Sequence, residues 1–208
     1  RRHTRYPLVT GVQTCALPIF GSYTAGTLTV AKAQLAVSAD DKAKTYGDAD
    51  PGLSYTVNTG QLKYSDTAGV VSGVNLATAT GAAATAGTHA ITATGGTAAN
   101  YDVMLTPGTL TVAKAQLAVT ADDKAKTYGD ADPSLSYTVN TSQLKYTDTA
   151  GVVSGVNLAT ATGAAATAGT HAVTASGGSA ANYDLVLADG TLTVAKAQLQ
   201  VSADNKSK

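Results

Sequence analysis

Glu and Trp are absent from this chain of 208 residues, and Phe, Met and Cys each occur once. All 14 acidic side chains are therefore Asp. Glu, Leu and Arg favour helices, whereas the abundant Thr (33 residues), Gly (21) and Asp do not, which argues against a helical bundle. Long apolar runs are missing too. None approaches the ~20 residues needed to cross a bilayer as a helix, so no membrane span is predicted. Charged residues make up only 13% and the formal net charge is zero, leaving no polybasic face for nucleic acid. There is no G-x-x-x-x-G-K-[ST] phosphate loop and no G-x-S-x-G nucleophile elbow.

What charge balance exists depends on one segment. Arg1–Ile19 holds all three Arg and the single Cys15, and its composition differs from everything that follows. Val9–Ile19 back-translates to a string resembling a short-read sequencing adapter. It has no clean apolar core of the secretory kind. The segment is read as an adapter artefact, unstructured and outside the fold. The remainder has 11 Lys against 14 Asp, a net of −3, and no cysteine, which excludes disulfides, thiolate nucleophiles and Cys-based metal sites. Without an initiator Met it reads as an internal piece of a longer gene.

The rest of the chain is repetition. AKAQL recurs at Ala31, Ala113 and Ala195, a period of 82, and residues 31–112 match residues 113–194 at 71 of 82 positions. GTLTV at Gly26–Val30 matches Gly108–Val112 and Gly190–Val194. The expected organisation is the end of a preceding repeat at 20–30, full repeats at 31–112 and 113–194, and a truncated start at 195–208. The period exceeds the 20–50 residues of solenoid units, so each repeat is expected to fold as a bead on a string.

Within a repeat apolar residues alternate: Leu35, Val37 and Ala39; Leu53, Tyr55 and Val57; His89, Ile91 and Ala93; Tyr101, Val103 and Leu105; Leu110 and Val112. Period two over short runs predicts half-buried strands, about seven per repeat. Turns are expected at Tyr46–Pro51, Ser72-Gly73, Ala86-Gly87 and Gly95-Gly96, with a helical turn near Leu62–Ala68. Leu110 and Val112 are even, whereas Leu117 and Val119 are odd, so the apolar face must switch sides within Ala113–Gln116. With no Gly/Ser or Pro-rich linker there, the joint should be stiff. The predicted class is all-β: tandem small β-sandwiches, immunoglobulin-like or β-grasp-like, arranged as a rod.

Four motifs in fixed order carry a family likeness: TYGDADP, Gly87-Thr88-His89, Asn100-Tyr101-Asp102 and GTLTV-AKAQL. The chain resembles the MBG/YDG-type repeats of bacterial surface proteins, which occur in tandem in large secreted, filamentous-haemagglutinin-like adhesins. The resemblance implies an extracellular or cell-surface β-rich stalk or adhesive module without catalysis or cofactor. His89 and His171 depart from it, since the family often has Tyr there, and the chain is unusually rich in Ala.

Candidate chemistry is thin. His89 and His171 share the parity of Ile91, which suggests partly buried structural histidines, with a pH-sensitive site as the alternative. Asp40, Asp41, Asp48 and Asp50 have the oxygen chemistry of a calcium site at the domain junction, but Asp beside Pro and Gly also suits turns. Paired carboxylates for glycoside hydrolysis lack an aromatic sugar platform beside them. A Lys–Asn isopeptide bond involving Asn75 or Asn100 is chemically open, though no spacing singles out a pair. No catalytic, cofactor-binding or metal-binding residue is assigned, and no enzyme is expected. The expected function is a structural or adhesive repeat of a secreted or surface adhesin, acting as a stalk or weak multivalent binder, with a part in cell adhesion or biofilm. Its expected partners are host or bacterial surface glycans or proteins and neighbouring repeats of the same chain, with no nucleic acid. The alternative is a glycan- or protein-binding site on each repeat. An amyloid-like matrix protein is disfavoured, because Asp, Lys, Gly and Pro interrupt every strand-sized run.

Overall fold

In the computed structural model, residues 26–160 and 162–208 are described. The chain divides into two compact units, Arg1–Ala31 and Lys32–Lys208. Of the first, Gly26–Ala31 is exposed and strand-free. The adapter reading of Arg1–Ile19, and the expectation for residues 20–25, fall outside the described residues.

The second unit contains every described strand. The first copy of the repeat forms β1 (Ala33–Ala39), β2 (Lys42–Thr45), β3 (Tyr55–Val57), β4 (Ser72–Thr78), β5 (Gly87–Thr97), β6 (Tyr101–Thr106) and β7 (Gly108–Ala113). The second forms β8 (Ala115–Ala121), β9 (Lys124–Thr127), β10 (Tyr137–Val139), β11 (Ser154–Thr160), β12 (Gly169–Ser179), β13 (Tyr183–Ala188) and β14 (Gly190–Ala195). Among the described residues the helices are three-residue 3-10 turns only, two of which, Thr59–Gln61 and Ala68–Val70, flank the predicted helical turn. The all-β expectation of tandem small β-sandwich repeats holds.

Each copy folds into a three-stranded sheet, β3-β1-β6, and a four-stranded sheet, β2-β7-β5-β4, and the second copy repeats this order. Both sheets are mixed. β1 runs parallel to β6 and antiparallel to β3, while β2 runs parallel to β7. The alternation read from sequence sets the buried faces: Leu35, Val37 and Ala39 on β1, and Gly108, Leu110 and Val112 on β7. The face switch falls where expected. β7 and β8 are separated by Lys114 alone, and the buried positions change from even to odd between them. One residue thus carries the chain from the four-stranded sheet of one copy into the three-stranded sheet of the next.

Two expected turns are not turns. Ser72-Gly73 lies within β4 and Gly95-Gly96 within β5, facing each other across an antiparallel pair that keeps one register on both sides. Gly73, Gly95 and Gly96 have φ of +71°, +74° and +79°, which kinks both strands without reversing them. Glycine is required for a different reason at Gly108 and Gly190. A Cβ there would lie 2.6 Å from the Ala39 carbonyl oxygen and 2.4 Å from that of Ala121, so the backbones meet too closely for any side chain.

The core does not follow the sequence repeat. One apolar cluster holds Leu35, Val37, Val57 and Tyr101 of the first three-stranded sheet. Another holds Val173, Leu192 and Val194 of the second four-stranded sheet. The largest spans both copies, joining Ile91, Leu110 and Val112 to Leu117, Val119 and Tyr183 through Tyr46. The bead-on-a-string expectation is corrected accordingly, because neighbouring copies share one core.

Candidate functional site

The densest convergence of polar and aromatic side chains lies where the copies meet. Tyr46 follows β2, and its N–H donates to the Ala113 carbonyl at 2.8 Å, which brings the ring to the end of the first copy. Its ring packs edge-on against two rings of the second copy, Tyr146 at 5.4 Å and Tyr183 at 5.5 Å between centroids. Such pairs contribute about 0.5–1.5 kcal/mol each beyond their buried area. The Tyr46 and Tyr183 hydroxyls both donate to Oδ2 of Asp148, at 3.1 and 2.7 Å. Tyr183 in turn accepts the Lys145 N–H at 2.8 Å. Around this centre the Tyr146 hydroxyl donates to the Ala82 carbonyl, and the Ala86 N–H donates to Oδ1 of Asn182 at 3.0 Å. Burial and the adjacent Asp148 carboxylate push the Tyr183 phenol up to about 12 and raise Tyr46 for the same two reasons.

Because the copies are nearly identical, each joint residue has an internal control. Tyr46 is 5% exposed, while its equivalent Tyr128 is 53% exposed. Tyr146 is 51% exposed and its equivalent Tyr64 is 105%. Gly47 faces the Lys145 side chain, whereas nothing lies within 4 Å of a Cβ at Gly129. In each pair, one member packs against the neighbouring repeat and the other does not. Covering about half of the Tyr46 ring contributes on the order of 2 kcal/mol.

The four acids weighed for calcium are already engaged. Asp40 accepts from Ser54 Oγ at 2.6 Å and Thr56 Oγ1 at 2.7 Å, and these hydroxyls lower its carboxyl below the ordinary value. Asp41 accepts the Thr109 N–H at 2.7 Å, tying the β1–β2 turn to β7. Asp48 accepts the Thr45 N–H within its own turn. Asp50 pairs with Lys44 at 2.7 Å. The Lys44 side chain is 3% exposed, and its three N–H donors meet Asp50 and the carbonyls of Asp48 and Ala82. Among the described residues, no group of three His, Cys, Asp or Glu side chains is placed to hold a metal.

His89 and His171 are half-buried, and each bonds through Nε2 to a carbonyl four residues earlier, Thr85 or Thr167, at 2.7 Å. That is the geometry of a structural histidine bracing the start of β5 or β12. Three lysines of the first copy are engaged by other partners: Lys32 by the Ala98 carbonyl, Lys42 by Ser54 and Lys44 by Asp50. Each repeat also carries an open cleft between its two edge strands. It is lined by Leu53–Tyr55 and Val74–Leu76 in the first copy and by Leu135–Tyr137 and Val156–Leu158 in the second, with volumes of about 520 and 530 Å³.

A family model for the MBG domain (YGX type) matches residues 35–111 and again residues 117–193. The chain belongs to the MBG domain family. No curated protein matches it. The Tyr-Gly pair of the YGX description fits Tyr46-Gly47 and Tyr128-Gly129, so the pair at the centre of the joint belongs to the part of each MBG repeat that the family model covers. Sequence reasoning placed this pair in a turn and in the TYGDADP motif, and counted Tyr46, Tyr64 and their copies among the aromatics available for a binding patch, but gave none of them a role in a joint. Both kinds of tyrosine sit in turns, where period-two alternation says nothing about direction, and their partners lie in another copy. One usable signal was present: aromatic residues in a chain with few of them, recurring unchanged at the same repeat positions. Lys44 was also missed, since alternation ranks a strand lysine as exposed.

Proposed function

We propose that the chain is a non-catalytic stalk segment of a bacterial surface or secreted adhesin, whose MBG repeats stack end to end and hold a more distal binding region away from the cell. The observation that carries this reading is the joint. Tyr46 is sealed between two tyrosines and an aspartate of the next repeat, with a single residue linking the copies. A connection this short leaves no slack for the repeats to fold back. Weak contacts from each repeat to surface glycans or proteins would add by multivalency. Export fits a chain made of MBG repeats, which resemble those of secreted bacterial adhesins. Small-angle scattering on chains of two, four and six repeats tests the proposal. The maximum dimension should rise linearly with repeat number, whereas a compact particle would grow only as about N^0.38.

The second reading, a binding site on every repeat, draws on the paired clefts. Their recurrence at the same place in each copy, with a tyrosine and an asparagine at the rim, suits an extended peptide or a sugar. Screening the chain against glycan and peptide panels, with Tyr55→Ala and Tyr137→Ala combined as the control, decides it. A ligand lost in the double variant would favour this function over a passive spacer.

A further inference from the structure

We infer that the repeats associate sideways through the free edge of β4 and its equivalent β11, the partner being the same edge of a second copy of this chain. The pairing concerns the flank of the repeats, not their ends, and goes beyond the stalk reading. β4 is the outer strand of β2-β7-β5-β4, and among the described residues it pairs with β5 alone. The backbone groups that point away from β5 have no strand to meet. Neighbouring repeats do not supply one. β4 has a full repeat after it and β11 a full repeat before it, yet Ser72–Thr78 and Ser154–Thr160 show the same alternation of exposed and half-buried residues. The clefts beside them are matched too, at about 520 and 530 Å³. Stacking, which takes the Tyr46 position from 53% to 5% exposed, leaves this edge as it was.

The other edges of the repeat carry features that deter pairing. β2 has Lys42 and Lys44, β3 is only three residues long, and β6 has Asp102. β4 reads SGVNLAT, with neither charge nor proline, and β11 repeats it residue for residue. Its positive-φ kink falls at Gly73, near one end, so Val74–Thr78 keeps a regular open edge.

The strand's own sequence fits that edge. Val74 and Leu76 pack on the core clusters yet stay half-exposed at the cleft, opposite Leu53 and Tyr55. A second β4, laid antiparallel about a two-fold axis normal to the sheet, turns its Val74 and Leu76 to the same side. The apolar row then runs on from one copy to the next, and each cleft gains cover from the partner strand. With no charge on the strand, a copy meets no like charge across the axis, the usual bar to self-pairing. A strand of seven residues makes a small contact, so one pair of edges should bind weakly and successive repeats should add by multivalency.

The test is sedimentation of the full chain in reducing buffer, so that Cys15 cannot bridge molecules, at concentrations up to about 1 mM. The weight-average mass should rise reversibly above that of the monomer. Asn75 and Asn157 are exposed on the solvent face of the two edges, so a charge placed there faces its own copy across the pair without disturbing the core. Asn75→Lys with Asn157→Lys, and Asn75→Asp with Asn157→Asp, should each weaken self-association about tenfold or more. Salt at about 1 M should restore it, because the repulsion is screened. An equal mixture of the lysine and aspartate forms should pair again without added salt, which a misfolded variant would not do. Tyr64→Ala with Tyr128→Ala removes the tyrosines exposed at the two ends and should change nothing, so contact between ends is told apart from contact between edges. The length of dilute particles, on which the stalk reading rests, should be the same in every variant. A monomer at every concentration, association that both charged forms leave unchanged, or a mixture that pairs no better than its components would overturn the inference.

Discussion

Tyr46 and Tyr128 occupy the same place in two nearly identical sequences, yet one is sealed and the other half exposed. The repeat thus supplies its own control for the worth of the joint. Tyr46→Ala removes a ring enclosed by Tyr146, Tyr183 and Asp148 and should cost about 3 kcal/mol. Tyr128→Ala should stay within about 0.5 kcal/mol of the parent. Urea unfolding midpoints of the two variants check this, and equal shifts would mean that the joint contributes nothing. Titration offers an independent handle. The folded-state pKa of Tyr183, pushed up to about 12, lies above its ordinary value of 10.0, so the unfolded chain loses this proton first as pH rises. The contribution is fully present below pH 10 and declines between pH 10 and 12. Stability measured across that window should fall, and Tyr183→Phe should flatten the decline. At this scale legibility was uneven. Turn-forming Asp48 was readable because its partner, Thr45, is three residues away. The Asp148–Tyr46 contact spans 102 residues and left no local trace.

Strands were legible wherever one face is buried, and the parity change across Lys114 located the passage between copies to within a residue. Identical segments also show where that reading stops. AKAQL enters a strand at β1 and β8, but at Ala195–Leu199 only its first residue does, as the end of β14. The reason lies in the topology. β1 is the middle strand of its sheet, and its partners β3 and β6 come later in the chain. Where those partners are missing, alternation alone does not make a strand, and Leu199 and Val201 are each left 87% exposed. The glycine pairs failed differently. Positive φ is common to turns and to kinked strands, so Ser72-Gly73 and Gly95-Gly96 were open to either. Elsewhere a glycine marks contact between elements. At Gly190, β14 passes so close to the end of β8 that an added Cβ meets a carbonyl oxygen, which cannot swing away as a flexible side chain would. Gly190→Ala and Gly108→Ala should each cost about 1–3 kcal/mol in thermal or urea unfolding. A neutral result would show that the strands separate there at little cost.

Beyond single elements, the unit of burial is offset from the unit of sequence. A lone copy divides its apolar residues between its two ends, and only stacking merges the four-stranded half of one copy with the three-stranded half of the next. Stability should then follow a nearest-neighbour rule, the sum of intrinsic repeat terms and joint terms. Two repeats have one joint, four have three and six have five, so the number of joints per repeat climbs steeply at first and then levels off. The melting temperature of longer chains should do the same, with a larger rise from two repeats to four than from four to six. Disabling every joint by changing the Tyr46 equivalent to Ala throughout the array should make the melting temperature independent of length while leaving the strands intact by far-ultraviolet circular dichroism. Autonomous beads would melt at one temperature whatever their number, with or without that substitution. Calorimetry on the three lengths separates the two cases, and a flat series for the parent sequence would return the joint to the status of a simple contact between independent domains.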